Sequence, residues 1–216
     1  MGSLLKSTFN TRAILPDSLL FVRSDVPWQL SDEETRWLLA QNITTIMDLR
    51  TPEERLRKPC PLAKDSRFRC YEMPVTGGSE IPPSVKDVSG SYIRMVDTQM
   101  EKIIDLIWNA PSNVLYFCNA GKDRTGVVCA ILLGLCGVAE NDIVYDYMMT
   151  KTYNKERFEL IHKNFPEIDM RIVIPSERYM TGFIDQLKSK YGSFREYLIA
   201  IGVTADEIES ILAKLL

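Results

Sequence analysis

Apolar and polar positions change period several times along this chain. Leu19-Leu20-Phe21-Val22-Arg23-Ser24 predicts a short strand, closed by Asp25-Val26-Pro27. Residues 1–18 show no sustained period and end in Pro16-Asp17, so they read as a lead-in. Ser31 followed by Asp32, Glu33 and Glu34 predicts an N-cap with acids in the first turn, and the helix continues through Trp37, Leu38 and Leu39. The run Ile43 to Leu49 is β-branched and apolar and predicts a buried strand bounded by Arg50-Thr51-Pro52. From Arg67 to Met73, Phe68 and Cys70 alternate with Arg67 and Arg69, the period of another strand.

Helical spacing then takes over. Gly77-Gly78 and Pro82-Pro83 keep Pro74 to Pro83 as loop. Ile93, Val96, Met100, Ile103, Ile104 and Ile107 recur at helical intervals and predict one long helix from about Gly90 to Asn109. Val114 to Phe117 is a short apolar strand, followed by a polar loop and a helix from near Arg124 through Leu133. Further helices are expected over Asn141–Met149, Lys151–Asn164, Ser176–Tyr191, Ser193–Ile201 and Thr204–Leu216. Thr204 and Glu207 have capping-box spacing at the start of the last.

Strands alternating with helices predict an α/β fold: a mainly parallel central sheet with helices on both faces and extra C-terminal helices. The length of 216 residues suits a single domain over 1–216. A ligand site then belongs at the C-terminal strand ends, where both Asp48-Leu49-Arg50 and Cys118 fall.

Composition narrows the function. A net charge of −3 gives no basic footprint for nucleic acid. No apolar run is long enough for stable membrane insertion, and the start has no signal-peptide core, which places the chain in the cytoplasm with leaderless export left open. Five cysteines without a CxxC pair, and a single histidine (His162), argue against a metal site and for a reducing compartment. Cys129 and Cys136 read as small core residues, and Cys60 and Cys70 as structural thiols.

The chemistry concentrates in Cys118-Asn119-Ala120-Gly121-Lys122-Asp123-Arg124-Thr125-Gly126. A cysteine at a strand end faces a helix N-terminus, whose first N–H groups lack intrahelical partners and favour an anion. Successive loop N–H groups form a nest of the same sign, and Arg124 brings a planar fork suited to phosphate oxygens. A free thiol is only a few per cent ionised at pH 7. Ionising the thiol well below pH 7 needs roughly 4 kcal/mol. The helix dipole contributes roughly 0.3–1 kcal/mol, up to about 2 when partly buried, so the loop N–H groups, the Thr125 hydroxyl and cations such as Lys122 and Arg124 must supply the rest.

This run resembles the signature loop of cysteine-dependent protein tyrosine and dual-specificity phosphatases. It is most similar to the atypical bacterial and fungal branch with a His-Cys-x-x-Gly-Lys-Asp-Arg loop. Val22-Arg23-Ser24-Asp25, Asp48-Leu49-Arg50 with Glu53 or Glu54 after it, and Gly192-Ser193, Tyr197-Leu198 and Gly202 extend the resemblance over nearly the full length. One letter departs: Phe117 stands where the family has histidine.

The resemblance implies a cysteine-phosphatase-like fold, no cofactor, and a phosphocysteine intermediate on Cys118. Asn119, Ala120, Gly121, Lys122, Thr125 and Gly126 would form the phosphate loop, with Lys122 adding charge at its rim and Arg124 binding the equatorial oxygens. The implied substrate is a phosphorylated protein, phosphotyrosine first, or a phosphoinositide, with inorganic phosphate as product. For the general acid Asp123 leads, Asp48 follows and Asp87 is third. Capping of the loop helix is the plainer role for Asp123, and an ion pair with Arg50 the plainer role for Asp48. A phosphate-binding module with little turnover, motivated by Phe117, is the alternative. An arsenate reductase or sulfurtransferase fits the Lys122-Asp123-Arg124-Thr125 letters less well.

Overall fold

The computed structural model describes residues 2–78, 80–96 and 98–215. Five strands make one sheet: β1 (Arg12–Leu15), β2 (Ser18–Asp25), β3 (Ile43–Asp48), β4 (Arg69–Glu72) and β5 (Asn113–Cys118). Their order is β1-β2-β5-β3-β4. The pairs β2–β5, β5–β3 and β3–β4 are parallel, and β1 pairs antiparallel with β2 at one edge. The mainly parallel sheet is therefore as expected, but its edge strand lies in the segment read as a lead-in. Four residues are too few to show a period, and the tight turn at Pro16-Asp17, with Asp17 at φ 57°, returns the chain directly into β2.

The helices are α1 (Asp32–Ala40), α2 (Pro52–Arg57), α3 (Val88–Ile93), α4 (Thr98–Trp108), α5 (Asp123–Leu135), α6 (Glu140–Tyr153), α7 (Lys155–Asn164), α8 (Met170–Val173), α9 (Glu177–Tyr191), α10 (Phe194–Ala200) and α11 (Ala205–Leu215). The single helix expected from Gly90 to Asn109 is instead two, α3 and α4. Turns closed by Met95 N–H to Tyr92 O and Val96 N–H to Ile93 O separate them and bury Met95 and Val96 side by side. The α6–α7 break falls at Asn154, later than the sequence pattern placed it. Short α2 and α8 were not anticipated, although Thr51 and Glu54 close a capping box that the spacing contained.

Side chains alternate along β5 and divide the core in two. Val114, Tyr116 and Cys118 join a large cluster with residues of α3, α4, α5, α6 and α9 to α11. Leu115 and Phe117 join a smaller one with Leu38 of α1, Leu62 and the N-terminal Leu5. Helix α5 is apolar all round and runs inside the larger cluster, where each buried Val, Leu or Ile contributes roughly 1.5–3 kcal/mol. Its N-terminus is consequently fixed against the end of β5.

An ion-pair cluster backs the loop between them. The Asp146 carboxylate of α6 pairs with Arg12 of β1 at 3.1 Å and with Arg23 of β2. Burial opposes the Asp146 charge, but Arg23 and then Arg12 outweigh it and hold the carboxyl below its usual range. Removing that charge leaves two buried guanidinium groups unpaired. Asp146→Asn is therefore expected to cost about 3–5 kcal/mol of stability, read from urea denaturation at pH 7. A loss under about 1 kcal/mol would show that the arginines are accommodated in another way.

Candidate active site

Parallel pairing brings three strand ends together, with Asp25 beside Cys118 and Asp48 beside Phe117. The loop after Cys118 is held from outside by its carbonyls. Ala120 O accepts from Asn154 Nδ2 at 2.9 Å and from Asn10 Nδ2 at 3.2 Å. Gly121 O accepts from Arg23 Nη2 at 2.8 Å and from Asn10 Nδ2 at 3.0 Å. Asn119 O accepts from Val26 N–H at 3.4 Å. In a trans peptide the N–H points opposite to the C=O, so tying these carbonyls outward turns the linked N–H groups inward. The N–H groups of Ala120, Gly121 and Lys122 donate to no acceptor among the described residues. Gly121 sits at φ 63°, and a Cβ there would lie 2.6 Å from Ser24 O, so the turn requires glycine.

Arg124 is fixed by a two-point pair. Its Nη1 and Nη2 donate to Glu54 Oε2 and Oε1 at 2.5 and 2.7 Å. Glu54 also accepts from Asn119 Nδ2 at 2.5 Å and from Thr51 N–H at 2.9 Å, so one carboxylate caps α2 and anchors the loop. Burial works against the Arg124 charge, but Glu54 and the Cys118 sulfur raise its pKa further. Burial likewise opposes ionisation of Glu54, and its Arg124 bonds overcome this to hold it below the usual carboxylate range. Arg124 Nε and Thr125 Oγ1 are buried without a partner among the described residues. Such orphaned buried donors, one of them on the arginine that feels the Cys118 sulfur, are what an oxyanion would satisfy.

The three acid candidates separate in space. Asp123 is the first residue of α5, and among the described residues its carboxylate accepts from a tyrosine, not from the backbone N–H groups of its own helix. Its Oδ1 accepts from Tyr92 Oη and lies 3.2 Å from Lys122 Nζ. Asp48 is clamped by Arg50 through Nε at 2.8 Å and Nη2 at 2.6 Å, the ion-pair role, and it lines a different cavity with Phe117. Asp87 accepts from Ser84 Oγ at 2.7 Å, ahead of α3. Lys122 also departs from expectation. Its ammonium is buried and donates to the carbonyls of Ile172 and Val173 at 3.0 and 2.8 Å, bolting α8 to the loop instead of standing at the rim.

A cavity of about 360 Å³ opens over the loop. Asn119, Ala120, Lys122, Asp123 and Arg124 form its polar floor, with Glu54, Glu80 and Arg157 at the side. Its walls are apolar, chiefly Met95, Phe158, Ile161, Phe165, Ile168 and Ile172. Three contributors escaped the sequence reading, and a fourth was read without its role. Asn10, Asn154 and Tyr92 carry no local signal, because each meets the loop only through the fold. Arg23 was noticed as part of the resemblance but not as the loop's anchor.

The class that this sheet, cysteine and loop define is that of the cysteine-dependent phosphatases. The tyrosine phosphatase family model matches residues 15–216, and the chain belongs to that family. A tyrosine-protein phosphatase of Nostoc commune is 28% identical over 216 aligned residues, covering 90% of this chain and 74% of the relative. A putative tyrosine-protein phosphatase of Cupriavidus necator is 27% identical, covering 62% of this chain and 54% of the relative. Among solved structures, the core catalytic domain of the PP-IP phosphatase SIW14 from S. cerevisiae matches with a TM-score of 0.44 at 18% identity, over 85% of this chain and 93% of that one. TpbA of P. aeruginosa matches with a TM-score of 0.43 at 12% identity, over 92% and 98%.

Two expectations follow from this geometry. A Cβ on Gly78 would sit 2.3 Å from Arg124 Cγ, so the loop after β4 packs directly on the arginine stem. Gly78→Ala should displace Arg124 and lower kcat/KM on an aryl phosphate by on the order of 10- to 100-fold with the melting temperature nearly kept. Unchanged kinetics would mean that the loop yields instead.

The Glu54 pair also sets an acid limit on stability. A carboxyl whose folded pKa is depressed adds stability above its unfolded value, near ~4.3, and loses it as pH falls through the folded value. The stability lead of wild type over Glu54→Gln should thus shrink between pH 7 and pH 3, read from urea melts. A lead that stays constant across that range would contradict this.

Proposed function

We propose that this family member hydrolyses phosphotyrosine in proteins, with the whole chain acting as one phosphatase domain. Cys118 is the nucleophile. Its sulfur forms a bond to phosphorus as the bond to the tyrosine oxygen breaks, and Asp123 gives that oxygen a proton. Water then attacks the phosphocysteine, Asp123 takes the water's proton, and the sulfur leaves with its electron pair. The loop N–H groups and Arg124 Nε hold the equatorial oxygens, and the Thr125 hydroxyl is available to the departing sulfur.

The observation that carries the substrate class is the contrast between cavity floor and walls. A single anion cradle lies under an apolar enclosure of Met95, Phe158, Ile161, Phe165 and Ile172, which suits one phosphate on an aromatic ring. A polyphosphorylated inositol needs further cations. Lys122 is committed to α8, and Arg157 faces Asp25 at 3.5 Å. Phe117 supports no loss of turnover, since its ring packs in the opposite core cluster with Arg50 over it at 5.3 Å.

Phosphate release should therefore be fastest from phosphotyrosine peptides, slower from phosphoserine peptides, and slowest from short-chain phosphoinositides. Cys118→Ser should abolish release from all three while retaining phosphate affinity. An active Cys118→Ser protein would remove the thiol mechanism, and preference for phosphoinositides would overturn the substrate class.

A further inference from the structure

Two tyrosines stand behind Asp123 that the mechanism does not use. Tyr92 of α3 and Tyr147 of α6 are both buried. Tyr92 Oη lies 2.5 Å from Asp123 Oδ1 and 2.7 Å from Tyr147 Oη. Burial, and then the charge of Asp123, push both phenols well above their usual range, so both keep their protons. Each phenol has one proton to give. Tyr92 gives its own to the carboxylate, so the bond between the phenols is donated by Tyr147. The chain therefore has one direction, from Tyr147 to Tyr92 to Asp123.

The Lys122 ammonium lies 3.2 Å from the same oxygen, Oδ1. Oδ1 thus meets one hydrogen-bond donor, Tyr92, and one nearby ammonium charge, while Oδ2 meets neither among the described residues. Tyr147 is itself held in place, because its ring packs on the first turn of α5, where a Cβ on Gly126 would touch it at 3.3 Å. Without Tyr92, the short side chain of Asp123 loses its hydrogen-bond donor and keeps only the Lys122 charge, which sets no single rotamer against the competing unpaired N–H groups of its own helix.

We propose that Tyr92, backed by Tyr147, is a positioning residue that fixes the Asp123 carboxyl with its exchangeable proton on Oδ2. The inference rests on the reading of Asp123 as general acid. In the first step the Oδ2–H bond breaks as the leaving oxygen gains the proton, and the new carboxylate charge is held at Oδ1. In the second step Oδ2 takes a proton from the attacking water. Tyr92 keeps its own proton throughout.

The test compares two aryl phosphates, one with a nitrophenol leaving group and one with unsubstituted phenol, on wild type, Tyr92→Phe, Tyr147→Phe and Asp123→Asn. General acid catalysis is typically worth ~10²–10⁴-fold, and it matters most for the poorer leaving group. Tyr92→Phe should lower kcat about 10-fold on phenyl phosphate and under about 2-fold on the nitrophenyl ester, a fraction of that range. Tyr147→Phe should show the same selectivity more weakly. Tyr92→Phe added to Asp123→Asn should bring no further selective loss. Equal losses on both esters in a folded Tyr92→Phe protein would reduce Tyr92 to packing and overturn the proposal. Should Tyr92→Phe not fold, equal losses in Tyr147→Phe overturn it in the same way. If Asp123→Asn itself lacks leaving-group selectivity, the general acid lies elsewhere. That separate failure takes the proposal with it.

Discussion

The pair between Glu54 and Arg124 is the contact on which the site depends. An arginine buried beside a cysteine, at the start of an apolar helix, carries a large desolvation cost. Glu54 offsets it with two parallel bonds to the guanidinium, and leaves Nε free. The same carboxylate reaches Asn119 in the loop and the N-cap of α2. Three elements distant in sequence are thereby set against one another before any substrate arrives. Electrostatic catalysis requires such preorganisation, because groups that must reorient during the reaction give back part of what they contribute.

The remaining scaffold solves a complementary problem, that of aiming backbone dipoles. A loop of four residues has no regular hydrogen bonding to orient it. Here Asn10, Arg23 and Asn154 take its carbonyls from outside, and the planarity of the peptide does the rest. Arg23 is itself fixed by Asp146, which Arg12 shares. The ion pairs thus have a directional use: they place charge behind the loop so that its N–H groups face the cavity.

What was legible in the sequence follows from the range of the interactions involved. Strands β2, β3 and β5 and helix α5 were readable because their apolar runs are long and locally bounded. The signature loop was readable because its chemistry is written in consecutive letters. Edge strand β1 was missed because its pairing, not its pattern, makes it a strand. The helix expected over Gly90 to Asn109 is interrupted by turns at Met95 and Val96, and the apolar spacing runs through that interruption without announcing it. Lys122 was placed at the rim because nothing local shows that α8 would offer it two carbonyls. Asn10 and Tyr92 act on the loop from far away in sequence, so no spacing announces them.

The alternation of β5 explains why Phe117 and Cys118, though adjacent, belong to different problems. Successive strand residues face opposite sides of a sheet. Cys118 faces the larger core and lies at the head of the loop that follows it, while Phe117 faces the smaller core, beneath Arg50 and beside the Asp48 that Arg50 clamps. An aromatic ring at that position packs in the smaller core and offers its face to a buried cation, a role open to any flat side chain. The loop is oriented from the other side, by Asn10, Arg23, Asn154 and Glu54. A substitution at residue 117 therefore acts on the loop indirectly, through the backbone of β5 and through Arg50, which also donates to Glu54 O of α2.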